Sequence, residues 1–388
     1  MGYRFCTADV GYLRSAAGVS ALAATAELPL TAVSRLSDVA AVRQIAGSHG
    51  PAVLETALLQ RKAATKLQDA AGWLFTDDAV QQATPAAVAR HRAQRLRGRD
   101  VHDVTCSIGA ELAALLPLAG RVLGSDLDPV RLAMAANNVA GVALVRADAL
   151  APVSVGTVVV ADPGRREGGR RRHDPAQLQP PLPALLHTYR GRDMAVKCAP
   201  GLDFDRLDWD GEVELISLDG GVREACLWSP GLTQGVRRRA TVLSTGGLEW
   251  TITDAAPADA EVRAPGEWIV DPDGAVVRAG LVRHYAARHG LGQLDPRIAY
   301  LTGDEPPPGV RAFRVLEHGR YSEKNLRHAL ARHGAASVEI LVRGVDVDPA
   351  VLRPRLKLRS AGGGPALSVV LTRVGSTPTA FVCTAHRG

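Results

Sequence analysis

The stretch from residue 100 to residue 166 constrains the fold of this 388-residue chain more than any other. Short valine-rich runs alternate in it with runs of helical periodicity, which predicts strand, helix, strand, helix, strand, loop and strand. The predicted strands lead into Asp103, Asp126, Asp148 and Asp162. Alternating strands and helices build a parallel sheet, and ligands of such sheets bind at the C-terminal strand ends. The sequence therefore predicts an α/β fold with four acids gathered along one sheet edge.

The charge balance is moderately basic, with a formal net charge of +6 and a pI of about 9.3. Arginine carries nearly all of it, because the only lysines are Lys62, Lys66, Lys197, Lys324 and Lys357. A basic excess suits a polyanionic partner, although arginine-rich composition also arises without one. Apolar residues make up 46% of the chain, which is ample for packed cores.

The cysteines favour free thiols over a disulfide framework and give no metal-binding pattern. Five are scattered along the chain without a CxxC pair, so we predict reduced thiols, no metal and a cytoplasmic location. The first nine residues lack a signal-peptide pattern, and no apolar run approaches the roughly 18 residues that cross a bilayer. These observations predict a soluble protein without a membrane segment.

Residues 1–98 are predicted to form an N-terminal helical region. Apolar positions recur at helical spacing over 33–46 and 52–71, and Thr84-Pro85 predicts a helix that continues to Leu96, with Thr84 as N-cap. Basic residues recur along that last helix, which predicts a solvated face or, alternatively, a basic flank beside the ligand edge. They are Arg90, His91, Arg92, Arg95 and Arg97.

The remainder divides into residues 99–294, the parallel sheet with an extension, and residues 295–388, a small α+β domain. In the first part we predict a helix over 178–189, a strand over 193–198, a hairpin at Asp219-Gly220-Gly221, a strand over 237–243 and a helix over 275–288. After Pro306-Pro307-Pro308-Gly309, the pattern predicts strand, helix, strand, helix, strand and strand. Their ranges are 312–317, 322–333, 337–342, 349–356, 367–373 and 379–384.

The loop after the first strand, residues 103–109, lacks the G-x-G-x-x-G dinucleotide fingerprint, so no pyrophosphate cradle is expected. Its small residues still allow a ligand close to the backbone. Asp126 can accept both hydroxyls of a ribose, and Asp148 can accept from an adenine amino group. An adenosine without a diphosphate fits S-adenosylmethionine, although each acid alone could be a cap or turn residue. The predicted cofactor-binding residues are Asp103, Thr105, Cys106, Ser107, Gly109, Asp126, Leu127, Asp148 and Ala149.

The fourth strand ends in Asp162-Pro163-Gly164-Arg165-Arg166. The turn can present the carboxylate of Asp162 and a backbone carbonyl to an acceptor nitrogen, and arginines can hold a phosphate bidentately. We therefore predict Asp162, Pro163 and Arg165 as catalytic residues, with Arg165 as substrate clamp. The alternative is a capped turn followed by a solvated basic loop.

Several segments resemble one bacterial family. They include 82–85 and 88–93 before the first strand, 126–129 and 137–138 within the sheet, 162–166, 196–203, 271–281, 339–344 and 356–358. The chain resembles the class I S-adenosylmethionine-dependent methyltransferases, and more narrowly a family that adds a THUMP-like, ferredoxin-like C-terminal domain. The resemblance implies a Rossmann-like sheet, S-adenosylmethionine as cofactor and methyl transfer to RNA, on a tRNA or rRNA base.

The chain departs from that family at three positions. Thr105 and Ser107 stand where methyltransferases usually have glycine, and Arg165 stands where base-amine methyltransferases usually carry an aromatic residue. One alternative reaction is methylation at pyrimidine carbon 5, with Cys198 as nucleophile if Lys197 or Arg165 stabilises its thiolate. Cys198 can equally be interpreted as a small buried residue at a strand end. Another is a silent RNA-binding module that keeps the fold. Small-molecule and protein acceptors, the RNA species and the oligomeric state stay open.

Overall fold

The computed structural model describes residues 3–64, 67, 70–165, 174–247, 249–358 and 363–387. The basic loop predicted after the turn at 162–166 lies outside them. By its internal contacts the chain divides into two compact units, Met1–Glu212 with Glu224–Gln234, and Val213–Arg223 with Gly235–Gly388. The domain boundaries at residues 98 and 294 stay a prediction.

Among the described residues, six α-helices precede the first strand, as the predicted helical region requires, but the helical run predicted over 52–71 ends at Ala63. They are α1 (Thr7–Leu13), α2 (Ala16–Ala26), α3 (Arg35–Ala46), α4 (Gly50–Ala63), α5 (Asp77–Gln82) and α6 (Ala86–Arg95). The apolar faces of α1 to α5 share one core with Ile108 and Met134, so they pack directly on the elements that follow. Ala93 of α6 belongs to a separate core with Val101 and Val158. The predicted N-cap is wrong, because Pro85 occupies that position and no side chain caps α6.

Alternating strands and helices follow. They are β1 (Val101–Asp103), α7 (Ala110–Leu115), β2 (Val122–Asp126), α8 (Pro129–Asn138), β3 (Ala143–Arg146), β4 (Val158–Ala161), β5 (Gly164–Arg165), β6 (Leu178–Gln179), α9 (Leu182–Thr188), β7 (Met194–Cys198), β8 (Glu212–Leu218) and β9 (Gly221–Trp228). In the first unit β3, β2, β1, β4 and β7 lie side by side and run parallel. The end of β9 pairs antiparallel with β7. The parallel sheet is therefore confirmed.

The helix predicted over 178–189 begins later than expected. Leu178 and Gln179 instead pair antiparallel with Arg165 and Gly164. Two prolines follow at 180 and 181, and each lacks the N–H donor and disfavours helix in the residue before it. The helix therefore starts at Leu182, after both prolines.

The second unit contains residues 213–218 of β8 and the start of β9, which confirm the predicted hairpin. Its other elements are β10 (Arg238–Leu243), β11 (Glu249–Thr253), β12 (Trp268–Asp271), α10 (Gly274–Arg278), α11 (Val282–Arg288), β13 (Gly292–Gln293), β14 (Leu301–Gly303), β15 (Arg311–Arg320), α12 (Glu323–Arg332), β16 (Ser337–Val342), α13 (Pro349–Arg355), β17 (Ala366–Val374) and β18 (Thr377–Arg387). Strand β10 lies parallel to β8, and β11 lies antiparallel to β10.

The helix predicted over 275–288 is two helices. Gly280 has a left-handed φ of +74°, and the N–H of Leu281 donates to the carbonyl of Val276 at 3.0 Å. A left-handed glycine followed by this hydrogen bond is a Schellman motif, which terminates a helix. Helix α10 therefore ends before Gly280, and α11 is a separate helix.

The last seven strands form a sheet in the order β13-β14-β12-β15-β18-β17-β16. Along β17, Leu367 and Val369 face a core that includes Leu326 and Leu352 of α12 and α13, whereas Val370 faces an opposite core. This alternation buries both faces of the strand. The six predicted C-terminal elements are confirmed. Their order, β-α-β-α-β-β, differs from the β-α-β-β-α-β order of a ferredoxin-like fold.

Candidate active site

The C-terminal ends of β1, β2 and β4 are joined by hydrogen bonds through the loop after β1. The hydroxyl of Thr105 accepts the N–H of Asp162 at 2.7 Å, and the N–H of Ser107 donates to Oδ2 of Asp126 at 2.9 Å. The structure thus brings three of the four predicted strand-end acids to one sheet edge. Asp148 follows β3 by two residues instead of ending it.

Asp103 is the buried member of this group. Its Oδ1 accepts the N–H of Thr105 at 3.1 Å, and only 3% of the residue is exposed. Burial, reinforced by the nearby carboxylate of Glu111, raises the pKa of Asp103 to about 8. Asp103 is therefore largely protonated at neutral pH, and it stabilises the loop through its hydrogen bond with Thr105.

The loop turns through two left-handed residues. Ser107 has φ +49° and Gly109 has φ +89°. A left-handed backbone conformation favours glycine, which methyltransferases usually have at the position of Ser107. In this chain Ser107 adopts the same conformation at a cost in backbone strain. A Cβ on Gly109 would lie 2.9 Å from Cγ2 of Val139, so this glycine also permits close packing against the end of α8.

Asp126 holds two backbone donors. Beside the bond from Ser107, its Oδ1 accepts the N–H of Asp128 at 2.9 Å. A carboxylate offers about four acceptor positions, so these two bonds leave capacity for ribose hydroxyls. Asp128 in turn caps α8 by accepting the N–H of Val130 at 2.8 Å. The ribose assignment of Asp126 stays a prediction that this geometry allows.

Leu127 and Asp148 are exposed shortly after β2 and β3, whereas Ala149 and Cys106 are buried. Leu127 is 50% exposed, an apolar side chain available to cover a flat ring. Asp148 accepts the N–H of Leu150 at 2.8 Å and stays accessible. The carbonyl of Ala149 accepts the hydroxyl of Tyr189, and Cys106 is buried in an apolar cluster. Ala149 and Cys106 therefore support the candidate site through packing and backbone hydrogen bonds.

Asp162 lies just beyond β4 with its carboxylate 47% exposed. Its Oδ2 accepts from Nζ of Lys197 at 2.5 Å, and the same ammonium donates to the hydroxyl of Thr84 at 2.5 Å. Pro163 is buried, and the side chain of Arg165 lies outside the described residues. The predicted clamp role of Arg165 therefore stays a prediction.

A buried ion network lies behind this pair. The guanidinium of Arg92 is fully buried and donates to both carboxylate oxygens of Glu111, at 2.7 and 2.8 Å, and also to Glu224. Arg95 donates to both oxygens of Glu212 at 2.7 and 3.0 Å. The prediction of a solvated basic face on α6 is therefore wrong for Arg92 and Arg95, whose side chains point inward to acids far along the chain.

Cys198 does not have the surroundings of a nucleophile. Its thiol is buried, with Sγ 3.9 Å from the carbonyl of Val196, and burial raises the pKa of Cys198 well above its ordinary value. The neighbouring Lys197 donates to Asp162 and Thr84. A thiolate is therefore not favoured here.

Sequence reasoning missed the role of three residues at this edge. It predicted Thr84 as an N-cap and Lys197 as a possible stabiliser of the Cys198 thiolate, yet the ammonium of Lys197 bonds to Thr84 and Asp162. Asn138 was missed as well; its amide donates to the carbonyls of Leu74 and Ile108, both at 2.9 Å, and so ties the loop after β1 to the helical region. These contacts span 30 to 113 residues, and no local pattern signals them.

Comparison with known proteins identifies the family. An S-adenosylmethionine-dependent methyltransferase of Mycobacterium tuberculosis CDC 1551, itself uncharacterized, is 56% identical over 359 residues, covering 88% of this chain and 99% of the relative; its H37Rv counterpart matches equally. The chain belongs to the S-adenosylmethionine-dependent methyltransferases. Residues 310–385 match a family model described as THUMP domain-like. The crystal structure of a candidate methyltransferase from Porphyromonas gingivalis W83 has the same fold, with a TM-score of 0.68 at 16% identity and 99% coverage of both chains.

For this methyltransferase the family confirms the predicted enzyme class, Rossmann-like fold and cofactor. The residues at the sheet edge fit S-adenosylmethionine. Accessible acids suit the ribose and the cationic groups of the cofactor, and Leu127 suits its flat base. Among the described residues, no cluster of His, Cys, Asp and Glu could hold a metal. No helix in the described ranges is long and apolar enough to cross a membrane.

Proposed function

We propose that this methyltransferase modifies RNA and that Asp162 orients the acceptor group. In the family, the end of the fourth strand lies nearest to the transferred methyl group. The observation that carries the proposal is the carboxylate of Asp162, half exposed beyond β4 and held from behind by Lys197. S-adenosylmethionine, when bound, supplies an activated methyl group on a sulfonium sulfur.

The carboxylate can accept an N–H or O–H hydrogen bond from the acceptor and so direct its lone pair. Asp126 and Asp148 would hold the ribose and adenine at the neighbouring strand ends. The loop that contains Ser107 would border the methionine part. Each of these roles requires a positioned side chain rather than covalent chemistry, which suits direct methyl transfer.

The C-terminal domain supports RNA as the substrate class. THUMP domains are associated with RNA binding, and exposed basic residues gather where β15 ends, α12 begins and α13 ends. Arg355 links the two helices through Glu323 at 3.0 Å. The other exposed members of this basic end are Arg320, Lys324 and Lys357. Cations placed in this way contact phosphates without reading sequence.

Two other basic residues of this domain lie outside the basic end. Arg343 pairs with Asp271 at 2.9 Å and lies over the ring of Tyr300, and Arg353 donates to the carbonyl of Val338. These two have structural partners within the second unit. The basic end therefore carries the proposal more directly.

The first experiment measures transfer of labelled methyl groups to total RNA from cells that lack the protein. Asp162→Asn should reduce turnover by roughly a hundredfold or more while cofactor affinity changes little. Asp100→Asn is the matched control, because Asp100 precedes β1 at the opposite end of that strand and pairs with Arg121. Full activity in Asp162→Asn would refute the catalytic assignment.

The same assay separates nitrogen or oxygen acceptors from pyrimidine carbon 5. Cys198→Ala should retain most activity because its thiol is buried and protonated. An inactive Cys198→Ala variant, or a covalent adduct with 5-fluorouridine RNA, would favour the carbon-5 mechanism instead.

RNA affinity is tested with a triple substitution of Arg320, Lys324 and Lys357 to Gln. Losing three phosphate contacts should lower the slope of log K against log salt by roughly two to three. Arg314→Gln with Arg332→Gln is the control, since both are exposed arginines outside the basic end. Equal RNA binding by both variants would contradict the proposed surface.

A further inference from the structure

Lys197 is a buried cation directed at an exposed acid. Its side chain is 10% exposed, whereas that of Asp162 is 47% exposed, and 2.5 Å separates Nζ from Oδ2. The hydroxyl of Thr84, itself buried, accepts a second bond from the same ammonium at 2.5 Å. The bond to Thr84 sets the direction of the ammonium, and the ammonium in turn sets the position of the Asp162 carboxylate.

The pair joins three segments that are distant in the chain. Thr84 precedes α6, Asp162 follows β4, and Lys197 lies at the end of β7. Because Lys197 and its neighbours on β7 are hydrogen bonded between β4 and β9, its backbone is rigid. A carboxylate held from such a strand is placed more accurately than one on a free loop.

The ammonium is charged despite its burial. Desolvation alone would lower the pKa of Lys197, but the carboxylates of Asp162 and Glu224 outweigh this effect, so the pKa lies above the ordinary lysine value. The guanidinium of Arg92 opposes the charge, and the carboxylate of Glu111 also favours it. Lys197 therefore connects the exposed carboxylate with the buried network of Arg92, Glu111 and Glu224.

Stability gives no sufficient reason for this arrangement. Burying an ammonium costs several kcal/mol, and an apolar residue in its place is often neutral or favourable. Asp162 needs no buried partner, because half of its side chain contacts water. What the buried cation adds is a fixed orientation of the acid.

We propose that Lys197 is a positioning residue for methyl transfer, which holds the carboxylate of Asp162 in the orientation that receives the acceptor group. The inference rests on the proposed function of Asp162. Thr84 is the second anchor of the same ammonium. Lys197 touches neither substrate nor cofactor in this scheme.

The pairing can be measured without an RNA substrate. The chain has only five lysines, so NMR of lysine labelled at Cε and Nζ gives few signals, and Lys197→Met assigns the one of interest. The Lys197 signal should titrate above the ordinary lysine value and shift to lower pH in Asp162→Asn. An unchanged midpoint in Asp162→Asn, or one that moves only in Glu224→Gln, would overturn the pairing and indicate a purely structural cation.

Kinetics then test the positioning role. Lys197→Met should lower kcat by roughly tenfold to a hundredfold with cofactor affinity within about twofold. Thr84→Val, which keeps the side-chain shape, should give a smaller loss and covers the case that Lys197→Met folds poorly. Lys62→Met is the matched control, because Lys62 forms an exposed 2.6 Å pair with Asp77 in the same unit.

The split between kcat and KM distinguishes positioning from general destabilisation. Because the ammonium touches neither substrate nor cofactor, the loss in Lys197→Met should fall on kcat, with the KM for RNA little changed. A variant that is merely less stable should instead give less active enzyme, with both constants unchanged in the folded fraction. An active wild type with an unaltered Lys197→Met variant would overturn this inference alone. A wild type that methylates no RNA would overturn the proposed function, and the positioning role with it.

Discussion

Replacing Arg92 with Met tests whether the buried ion network stabilises the first unit, that is, whether its buried carboxylates depend on the Arg92 cation. Arg92 is completely buried and donates to Glu111 and Glu224, whose side chains are 9% exposed. Methionine fills similar space without charge, so both carboxylates lose this cation inside the protein. Breaking a buried pair in this way costs about 3–5 kcal/mol.

That loss is a large share of a typical folding free energy of about 5–15 kcal/mol. With a urea m-value of about 3 kcal/mol/M, the midpoint of the first unit should fall by about 1–1.7 M. Arg90→Met is the control, because Arg90 is exposed on the same helix, and it should change stability by less than about 0.5 kcal/mol.

The two units can be followed separately by fluorine NMR of 5-fluorotryptophan in urea. Trp73, Trp209 and Trp228 report on the first unit, and Trp250 and Trp268 on the second. Separate probes are needed because a chain with two compact units need not unfold in one step. Only the first three signals should shift their midpoint.

A double-mutant cycle separates charge from packing. Glu111→Gln should be destabilising alone but much less so in the Arg92→Met background, giving a coupling of about 1–3 kcal/mol. A loss below about 1 kcal/mol, or additive effects in the cycle, would refute the reasoning.

Three further predictions concern the loop and strand at the sheet edge. Burial, together with the charge of Arg192, lowers the pKa of His102 to about 4. The free energy of unfolding should therefore fall by up to about 3 kcal/mol as the pH drops from 6.5 to 4. In urea titrations, His102→Asn should remove this pH dependence. The raised pKa of Asp103 has the opposite effect, because the stability that the protonated carboxyl contributes below pH 3.8 is lost as the pH rises towards 8. Asp103→Asn should therefore be more stable than the wild type at pH 8 and lose that advantage near pH 4. Equal denaturation midpoints of the two proteins at pH 8 would contradict the burial argument. Ser107→Gly relieves the left-handed serine and removes a Cβ beside the cofactor site, so calorimetry should show S-adenosylmethionine binding up to about tenfold tighter, and weaker binding would refute the crowding argument.

Local patterns determined much of the fold. The valine-rich runs of β1 to β4, the hairpin at Asp219-Gly220 and strand β16 follow from side-chain periodicity and turn residues, which act over a few positions. The acids at the strand ends followed from the same rule, since parallel strands present their C-terminal ends at one edge. Resemblance then supplied the family, which the Mycobacterium relative confirms.

Only the tertiary structure decided the partners of the charged residues. Arg92 and Arg95 have helical spacing that suits a solvated face, yet they bind acids 19 to 132 positions away. Asp103 looks like its fellow strand-end acids but is buried, which changes its protonation. Lys197 stands next to Cys198 in the chain but bonds to Asp162 and Thr84 instead, because successive residues of a strand point to opposite faces. Sequence spacing shows which element a charge lies on, whereas its partner depends on which distant element packs against that face.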